Sequence, residues 1–302
     1  MVETKMLDIN EDSITGEVIV RNAGCTDARL RELMLALVQH LHAFVRQAKV
    51  TTAEWDATLL FLEEVGRHSD ASRSEFRLFS DALGVSSLVH LLNGSSGVPT
   101  AGVRDTLPIN EARQWVELCD LEDTKCFVSG TVKGAEGERI PGAELVILPV
   151  DARGLVGVAT PNVMPLGIVR CDAHGRFGFC VPPPKPFAFP ADGPVARMLR
   201  ALNRHAWRAA HLHLQIWAQG YVPLDSRVFR SDCEHLSSDA SFSLRSHEIA
   251  DWTLHAPGVA PDGSRMTQPF YTLDRDFVLV RAPAARASPP LPFPSTSQEK
   301  SS

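Results

Sequence analysis

The sequence has little that would place it in a membrane or on nucleic acid. None of its 302 residues lies in a run approaching the roughly 18 uninterrupted apolar residues that a membrane span needs. The N-terminus lacks the apolar core of a signal peptide. The formal net charge is −6, and the Lys and Arg residues are scattered rather than clustered. We therefore expect a cytoplasmic protein that binds neither membranes nor nucleic acid.

Cysteine is also scarce, and it follows no pattern. The six cysteines form no CxxC pair, and a chain of this length does not need disulfides to hold its core together. We expect no structural disulfide. Internal repeats are absent as well, which excludes solenoids and propellers, and the length suits one or two globular domains.

The first third of the chain carries the spacing of amphipathic helices. Apolar residues recur every three or four positions from Leu30 to Val45, which predicts one long helix. Thr51-Thr-Ala-Glu54 has the form of a capping box and predicts the start of a second helix. A third helix is predicted to begin near Ser72-Arg-Ser-Glu75 and to end near Gly84.

From Cys126 the pattern changes to short alternating runs between turn residues, which is typical of an all-β sandwich or barrel. The runs cover residues 127–132, 143–148, 176–180, 211–217 and 277–280. We therefore predict an α+β protein. Its expected parts are an N-terminal extension (1–25), a helical region (26–95), a linker (96–125), a β-sandwich domain (126–283) and a disordered tail (284–302).

The run from His211 to Trp217 is the most informative of these strands. Side chains alternate along a strand, so His211 and His213 are expected on one face while the leucines between them point into the core. Two imidazoles on one strand face are able to share a metal ion, although such pairs also occur as ordinary surface histidines. The pattern alone leaves both interpretations open.

Several further segments have a recognisable order and spacing. In the predicted β region they are Phe187-Ala-Phe-Pro-Ala-Asp-Gly-Pro194, the run from Leu199 to His213, Ala218-Gln-Gly-Tyr221, Ser238-Asp-Ala-Ser-Phe242 and Asp274-Arg-Asp-Phe-Val-Leu279. In the helical region they are Leu41-His-Ala-Phe-Val-Arg46, Ala53-Glu-Trp55, Phe61-Leu62 and Ser80-Asp-Ala-Leu-Gly-Val85. These segments resemble the catalytic and helical dimerisation domains of hydroxyquinol and catechol 1,2-dioxygenases, in the intradiol ring-cleavage dioxygenase family. The resemblance implies a homodimer formed through the N-terminal helices.

In that family two tyrosinates and two histidines hold Fe³⁺, and O₂ is inserted between the two hydroxyl carbons of a bound diol. By position, His211 and His213 match the histidine ligands. Arg208 matches the arginine that lies beside the substrate, where a fixed cation steadies developing negative charge. The resemblance therefore implies Fe³⁺ as the cofactor and a small aromatic substrate together with O₂.

The two tyrosine positions depart from the family pattern. They fall on Val156 and Phe187, neither of which is able to ligate a metal. The only tyrosines in the chain, Tyr221 and Tyr271, match family positions outside the metal site. Arg227 stands where relatives usually carry Gln or His beside the metal. We predict that Val156, Phe187 and Arg227 contribute to the substrate pocket.

Three functions remain open at this point. The first is ring cleavage, with iron held by the two histidines plus water, substrate oxygens or a carboxylate. The second is a repurposed enzyme of the same fold with another metal or none, in which Asp151, Asp225 or Cys180 would be the candidate third ligand. The third is a non-catalytic dimer partner. We predict an intradiol dioxygenase-family enzyme, and a pocket filled by Phe187 and its neighbours would argue against catalysis.

Overall fold

The computed structural model describes residues 9–70, 73–93, 115–118, 124–148 and 166–282. The described chain forms two compact units, one that extends to Leu60 and one that begins at Phe61. The helices are α1 (Ile14–Asn22), α2 (Ala28–Ala48), α3 (Thr52–Arg67), α4 (Glu75–Ala82), α5 (Val85–Asn93) and α6 (Pro194–Ala201). None of them is long and apolar enough to cross a membrane, within the part of the chain that is described. The domain boundaries drawn from the sequence stay predictions.

The predicted helix starts are confirmed by the hydrogen bonds that cap them. Glu54 accepts a hydrogen bond from the backbone N–H of Thr51 at 2.8 Å, and Thr51 Oγ1 accepts one from the N–H of Glu54 at 3.3 Å. This reciprocal pair is the capping box that opens α3. The hydroxyl of Ser74 accepts a hydrogen bond from Arg77 N at 3.3 Å, so α4 begins within the predicted segment.

The second unit contains the strands, and most are short. They are β1 (Val116–Glu117), β2 (Cys126–Gly134), β3 (Glu144–Leu148), β4 (Gly167–Arg170), β5 (Arg176–Val181), β6 (Phe187–Ala188), β7 (Trp207–Arg208), β8 (His211–Trp217), β9 (Leu224–Arg230), β10 (Ile249–Ala250), β11 (Thr253–His255), β12 (Gly258–Val259), β13 (Arg265–Met266), β14 (Phe270–Asp274) and β15 (Phe277–Leu279). The five runs predicted from alternation correspond to β2, β3, β5, β8 and β15. The α+β fold class is therefore confirmed.

Most of the described strands form two sheets. One has the order β1-β5-β2-β14-β11, with β15 also paired to β2, and the other has the order β10-β9-β8-β3-β4. Apolar side chains from both sheets form one buried cluster, to which the first sheet contributes Val128 and Phe179, and the second Ile147 and Leu214. This is the packing of a β-sandwich. Two-stranded ribbons formed by β6 and β7 and by β12 and β13 complete the pairing.

Candidate active site

Strand β8 is central in its sheet, and its side chains point alternately into the apolar core and toward the candidate site. Leu212, Leu214 and Ile216 belong to the apolar cluster between the sheets. The opposite face carries His211 and His213, and both side chains are fully buried. Because a central strand is hydrogen-bonded on both sides, these imidazoles are held on a rigid support rather than on a loop.

Each imidazole is fixed in one orientation by a hydrogen bond. His211 Nδ1 lies 2.7 Å from the carbonyl oxygen of Ala209, and because a carbonyl only accepts, Nδ1 carries the hydrogen. His213 Nε2 lies 2.9 Å from Asp225 Oδ2, so Nε2 is the donor there. The lone pairs are therefore on His211 Nε2 and His213 Nδ1. Both atoms are buried without a hydrogen-bond partner in the described part of the chain.

The surroundings keep both histidines neutral. Burial lowers the pKa of His211 well below its usual 6.5, and the nearby Arg208 lowers it further. Burial also lowers the pKa of His213, although Asp225 opposes this effect. A neutral imidazole is the form that ligates metals and exchanges protons, so the site presents two basic nitrogen atoms.

Asp225 supports His213 from the neighbouring strand. The β8–β9 register places Gln215 opposite Asp225 and His213 opposite Arg227, which brings all four side chains to one face. Asp225 accepts a hydrogen bond from His213, and its Oδ1 forms an ion pair with Arg227 Nη1 at 3.3 Å. Burial opposes ionisation of Asp225, but His213 and Arg227 outweigh it and hold its pKa well below the usual 3.8. A carboxylate in this position orients the imidazole and fixes its tautomer.

Arg208 is a buried cation with a fixed direction. Its Nε lies 3.2 Å from both carboxylate oxygens of Asp239, and its Nη2 donates to Ser243 Oγ at 2.8 Å. Asp239 also accepts hydrogen bonds from the N–H groups of Ala209 (2.8 Å) and Ser241 (3.0 Å). Burial lowers the pKa of the guanidinium and Asp239 opposes this, so each charge of the buried pair is stabilised by the other.

Phe187 lies against both of these groups. The β6–β7 pairing sets Phe187 opposite Arg208, whose guanidinium carbon lies 5.6 Å from the centre of the phenyl ring. The imidazole of His211 lies 5.9 Å from the same ring and 4.7 Å from the ring of Phe229. One side of His211 is therefore covered by apolar rings, which offer no ligand to a metal.

The described residues do not by themselves fit ferric iron. Fe³⁺ favours anionic ligands, whereas the site offers two neutral imidazoles beside two arginines. Within the described ranges no group of three or more His, Cys, Asp or Glu side chains is placed to hold a metal ion. Both tyrosines are engaged elsewhere, because Tyr221 donates to Glu138 at 3.0 Å and Tyr271 lies under Arg230.

The structure brings together most of the residues selected from the sequence. Arg208, His211, His213, Phe187 and Arg227 lie in one neighbourhood on β6 to β9. Val156 and Asp151 lie outside the described residues. Cys180 lies on β5 of the other sheet, packed with Phe127 and Phe270, so it is not placed to be the third ligand.

Sequence reasoning missed the residues that support the site. Asp239 was part of a recognised segment but received no role, since nothing local showed that it would pair with Arg208. Asp225 was considered as a ligand, whereas the structure shows it holding His213. The cross-strand register was the only signal that would have found this contact, and register follows from strand pairing rather than from local pattern.

Comparison with known proteins agrees with this architecture. Residues 27–97 match the family described as Catechol dioxygenase N terminus, and residues 111–279 match the family described as Dioxygenase. A 6-chlorohydroxyquinol 1,2-dioxygenase of Cupriavidus pinatubonensis is 34% identical over 283 residues, which cover 91% of this chain and 99% of that protein. A hydroxyquinol 1,2-dioxygenase of Rhizobium sp. is 31% identical, with 90% and 96% covered.

A solved structure of a similar protein has the same fold. Hydroxyquinol 1,2-dioxygenase from Pseudomonas putida DLL-E4 superposes with a TM-score of 0.74 at 29% identity, covering 90% of this chain and 99% of that chain. The protein therefore belongs to the intradiol ring-cleavage dioxygenase family, whose members use non-haem Fe³⁺. Both relatives described above are enzymes named for hydroxyquinols.

Proposed function

We propose that this chain is an enzyme that acts on a catechol- or hydroxyquinol-type aromatic. In the proposed reaction the ring opens between its two hydroxyl carbons, and both atoms of O₂ enter the product. The observation that carries the proposal is the buried strand face that holds His211 and His213 with Arg208 close by, in the order of the family motif. Near full-length similarity to enzymes named hydroxyquinol 1,2-dioxygenase supports the substrate class.

The side chains of the site have roles that follow from their geometry. Arg208 is held by Asp239 and Ser243, so its charge needs no reorganisation when negative charge develops on a substrate oxygen. The unpaired nitrogen atoms of His211 and His213 are available to a metal or to a substrate hydroxyl. The ring of Phe187 is buried against Arg208 and His211, so it excludes water from one side of the site.

A second candidate is favoured by the shortage of anionic ligands. The same pocket would bind an aromatic or secondary-metabolite intermediate, with a divalent metal or no metal, and would use a histidine as acid or base. Two neutral imidazoles suit zinc or another divalent ion better than Fe³⁺. The observation behind this candidate is the apolar ring of Phe187 beside His211, where an anionic ligand would be needed.

The experiment that tests the proposal combines metal content with oxygen uptake. The protein is purified without chelator, its metals are measured by elemental analysis, and O₂ uptake is followed with catechol and with hydroxyquinol. Iron in near-stoichiometric amount together with diol-dependent O₂ uptake supports ring cleavage. Zinc or no metal, without O₂ uptake in either assay, contradicts ring cleavage and supports the second candidate.

Substitutions test whether the bound metal and the O₂ uptake belong to this site. Arg208→Gln should lower kcat/KM by about 100-fold, since one positioned charge typically contributes that much to transition-state stabilisation. Arg200→Gln is the matched control, because Arg200 is an exposed arginine whose side chain, among the described residues, donates to the backbone carbonyl of Ala191 alone. His211→Ala with His213→Ala should remove bound metal.

We propose in addition that α2 contributes to a homodimer interface. Leu37, Leu41 and Phe44 lie at helical spacing on one face, and between 40% and 54% of each side chain is exposed. A second copy of the chain would cover this face, as the resemblance to the family's dimerisation domain implies. Light scattering of the wild type and of Leu37→Glu with Phe44→Glu tests this, since the double variant should be a monomer. An unchanged mass would contradict it.

A further inference from the structure

One residue beside the candidate site has a backbone conformation that phenylalanine rarely adopts. Phe242 has a φ of 55°, in the left-handed region. Within the described ranges, the other non-glycine residues with a positive φ are Lys49 and Asn203, which lie just after α2 and α6, where this conformation is common. Phe242 ends no α-helix, and a bulky side chain makes the left-handed region unfavourable. The surrounding structure therefore holds Phe242 in this conformation.

Contacts from two directions hold the side chain of Phe242. Its ring lies against the backbone of Gly84, since a Cβ on that glycine would come within 3.3 Å of the ring. The guanidinium carbon of Arg204 lies 4.7 Å from the ring centre, and the same guanidinium donates hydrogen bonds to the carbonyl oxygens of Ala82 (2.8 Å) and Ala240 (3.1 Å). Phe242 is 56% exposed, so these contacts, rather than burial in a core, fix the ring.

Phe242 lies in a short segment that holds Arg208, and we call the segment from Asp239 to Ser243 the Arg208 loop. Asp239 begins the loop and accepts from Nε of Arg208, whereas Ser243 ends it and accepts from Nη2. The hydroxyl oxygens of Ser241 and Ser243 lie 2.9 Å apart. In an extended chain alternate residues are roughly 6.6 Å apart. The left-handed turn at Phe242 thus brings Ser243 back toward Ser241.

The first half of the Arg208 loop is fixed by its neighbours. Ser87, on α5, donates to the carbonyl oxygen of Ser241 at 2.8 Å, and the N–H of Ala240 donates to the carbonyl oxygen of Trp207 at 3.0 Å. Ser243 lies beyond Phe242, on the other side of the turn. The direction that the chain takes at Phe242 therefore decides whether Ser243 reaches the guanidinium.

We propose that Phe242 is a positioning residue for the reaction, because its left-handed conformation places Ser243 against Arg208 and so fixes the direction of the guanidinium. The inference rests on the proposed function for the role of Arg208 in catalysis. Asp239 contacts Nε, and Ser243 contacts the terminal nitrogen Nη2, so the two contacts together orient the whole group. A charge that is already oriented needs no reorganisation during the reaction.

Hydrogen exchange at Nε of Arg208 measures how firmly this side chain is held, without turnover. The full chain is labelled with isotope-enriched arginine, and Arg208→Gln identifies the signal by its loss. Phe242→Ala removes the ring contacts but leaves the left-handed conformation unfavourable, so exchange should become about tenfold faster. Phe242→Gly also removes the ring but adopts this conformation freely, so exchange should stay within about threefold of the wild type.

Two comparisons separate positioning from a merely structural effect. The Nε–H group of Arg73 donates to Glu75 at 2.9 Å and serves as the reference in the same spectra, so its exchange should not change. Phe76→Ala removes another half-exposed phenyl ring and is the control, which should leave both signals unchanged.

Kinetics test the same contact where ring cleavage is measured. Phe242→Ala should lower kcat/KM by about tenfold, and Phe242→Gly should restore most of this loss. In a Ser243→Ala background, Phe242→Ala should have little further effect, since both residues act through one contact with Arg208.

Unchanged exchange at Arg208 in Phe242→Ala would overturn the inference. Equal acceleration in Phe242→Ala and Phe242→Gly would also overturn it, because the effect would then belong to the ring rather than to the backbone conformation. Faster exchange at Arg208 and Arg73 together would show a general loosening of the fold, which overturns it as well. Absence of ring cleavage contradicts the proposed function instead, and the exchange measurement still decides this inference.

Discussion

The buried pair of Arg208 and Asp239 gives the sharpest prediction about the site. The side chains are 7% and 3% exposed, respectively, so neither charge is solvated by water. Asp239→Ala leaves the guanidinium with Ser243 as its remaining hydrogen-bond partner and removes the acceptor for the N–H groups of Ala209 and Ser241. Removing one partner of a buried ion pair costs about 3–5 kcal/mol.

Asp239→Asn is the matched variant, because it keeps the shape and one acceptor oxygen but loses the charge. We expect it to cost about 2 kcal/mol, the range of one hydrogen bond to a charged group. Urea unfolding at pH 7 measures both losses of stability. The dependence of the unfolding free energy on urea concentration should stay constant, while the urea concentration at the midpoint of unfolding falls. A cost below about 1 kcal/mol for Asp239→Ala would refute the view that Asp239 holds Arg208 in place.

The same pair predicts a pH dependence. Burial would raise the pKa of Asp239 above its usual 3.8, but Arg208 and the hydrogen bonds from Ser241 and Ala209 outweigh it and lower the pKa. A carboxylate with a lowered pKa stabilises the folded state fully above its unfolded value, and this stabilisation is lost as the pH falls through the folded value. The difference in unfolding free energy between wild type and Asp239→Asn should therefore stay constant above about pH 5 and narrow as the pH falls below about 4. A difference that stays constant down to about pH 3 would contradict this.

Three further changes test other parts of the structure. Glu75→Gln should cost about 1–3 kcal/mol in urea unfolding, because this fully buried carboxylate accepts hydrogen bonds from an arginine and from a backbone N–H. Gly130→Ala should cost about 1–3 kcal/mol or prevent folding, since a Cβ there would lie 1.9 Å from the carbonyl oxygen of Arg275. Val156→Tyr with Phe187→Tyr should raise iron affinity more than about tenfold by equilibrium dialysis, and unchanged iron content would count against our alignment of the pocket.

The sequence was sufficient to predict the α+β fold class and the strand face that carries the candidate site. Alternation around His211 and His213 predicted which side chains leave the core, and the capping box at Thr51 predicted where a helix begins. Both are local patterns, because the side-chain period of a strand and the hydrogen bonds of a helix start depend only on residues close in sequence. The pairing of Arg208 with Asp239 could not be predicted in this way, because the two residues lie 31 positions apart and meet only through the fold.

The residues around the histidines change what the site is suited to hold. A ferric centre needs anions, and the position next to His211 carries the phenyl ring of Phe187 instead. The charged residues nearby include Arg208 and Arg227, which repel a bound cation and attract a bound anion. The shortage of anionic ligands among the described residues and the presence of two arginines thus act in the same direction on the electrostatic potential. If iron is bound, a doubly deprotonated diol would have to supply the missing negative charge, so iron content should rise when catechol is added during dialysis. Iron uptake that is independent of catechol would show that the protein itself supplies an anionic ligand.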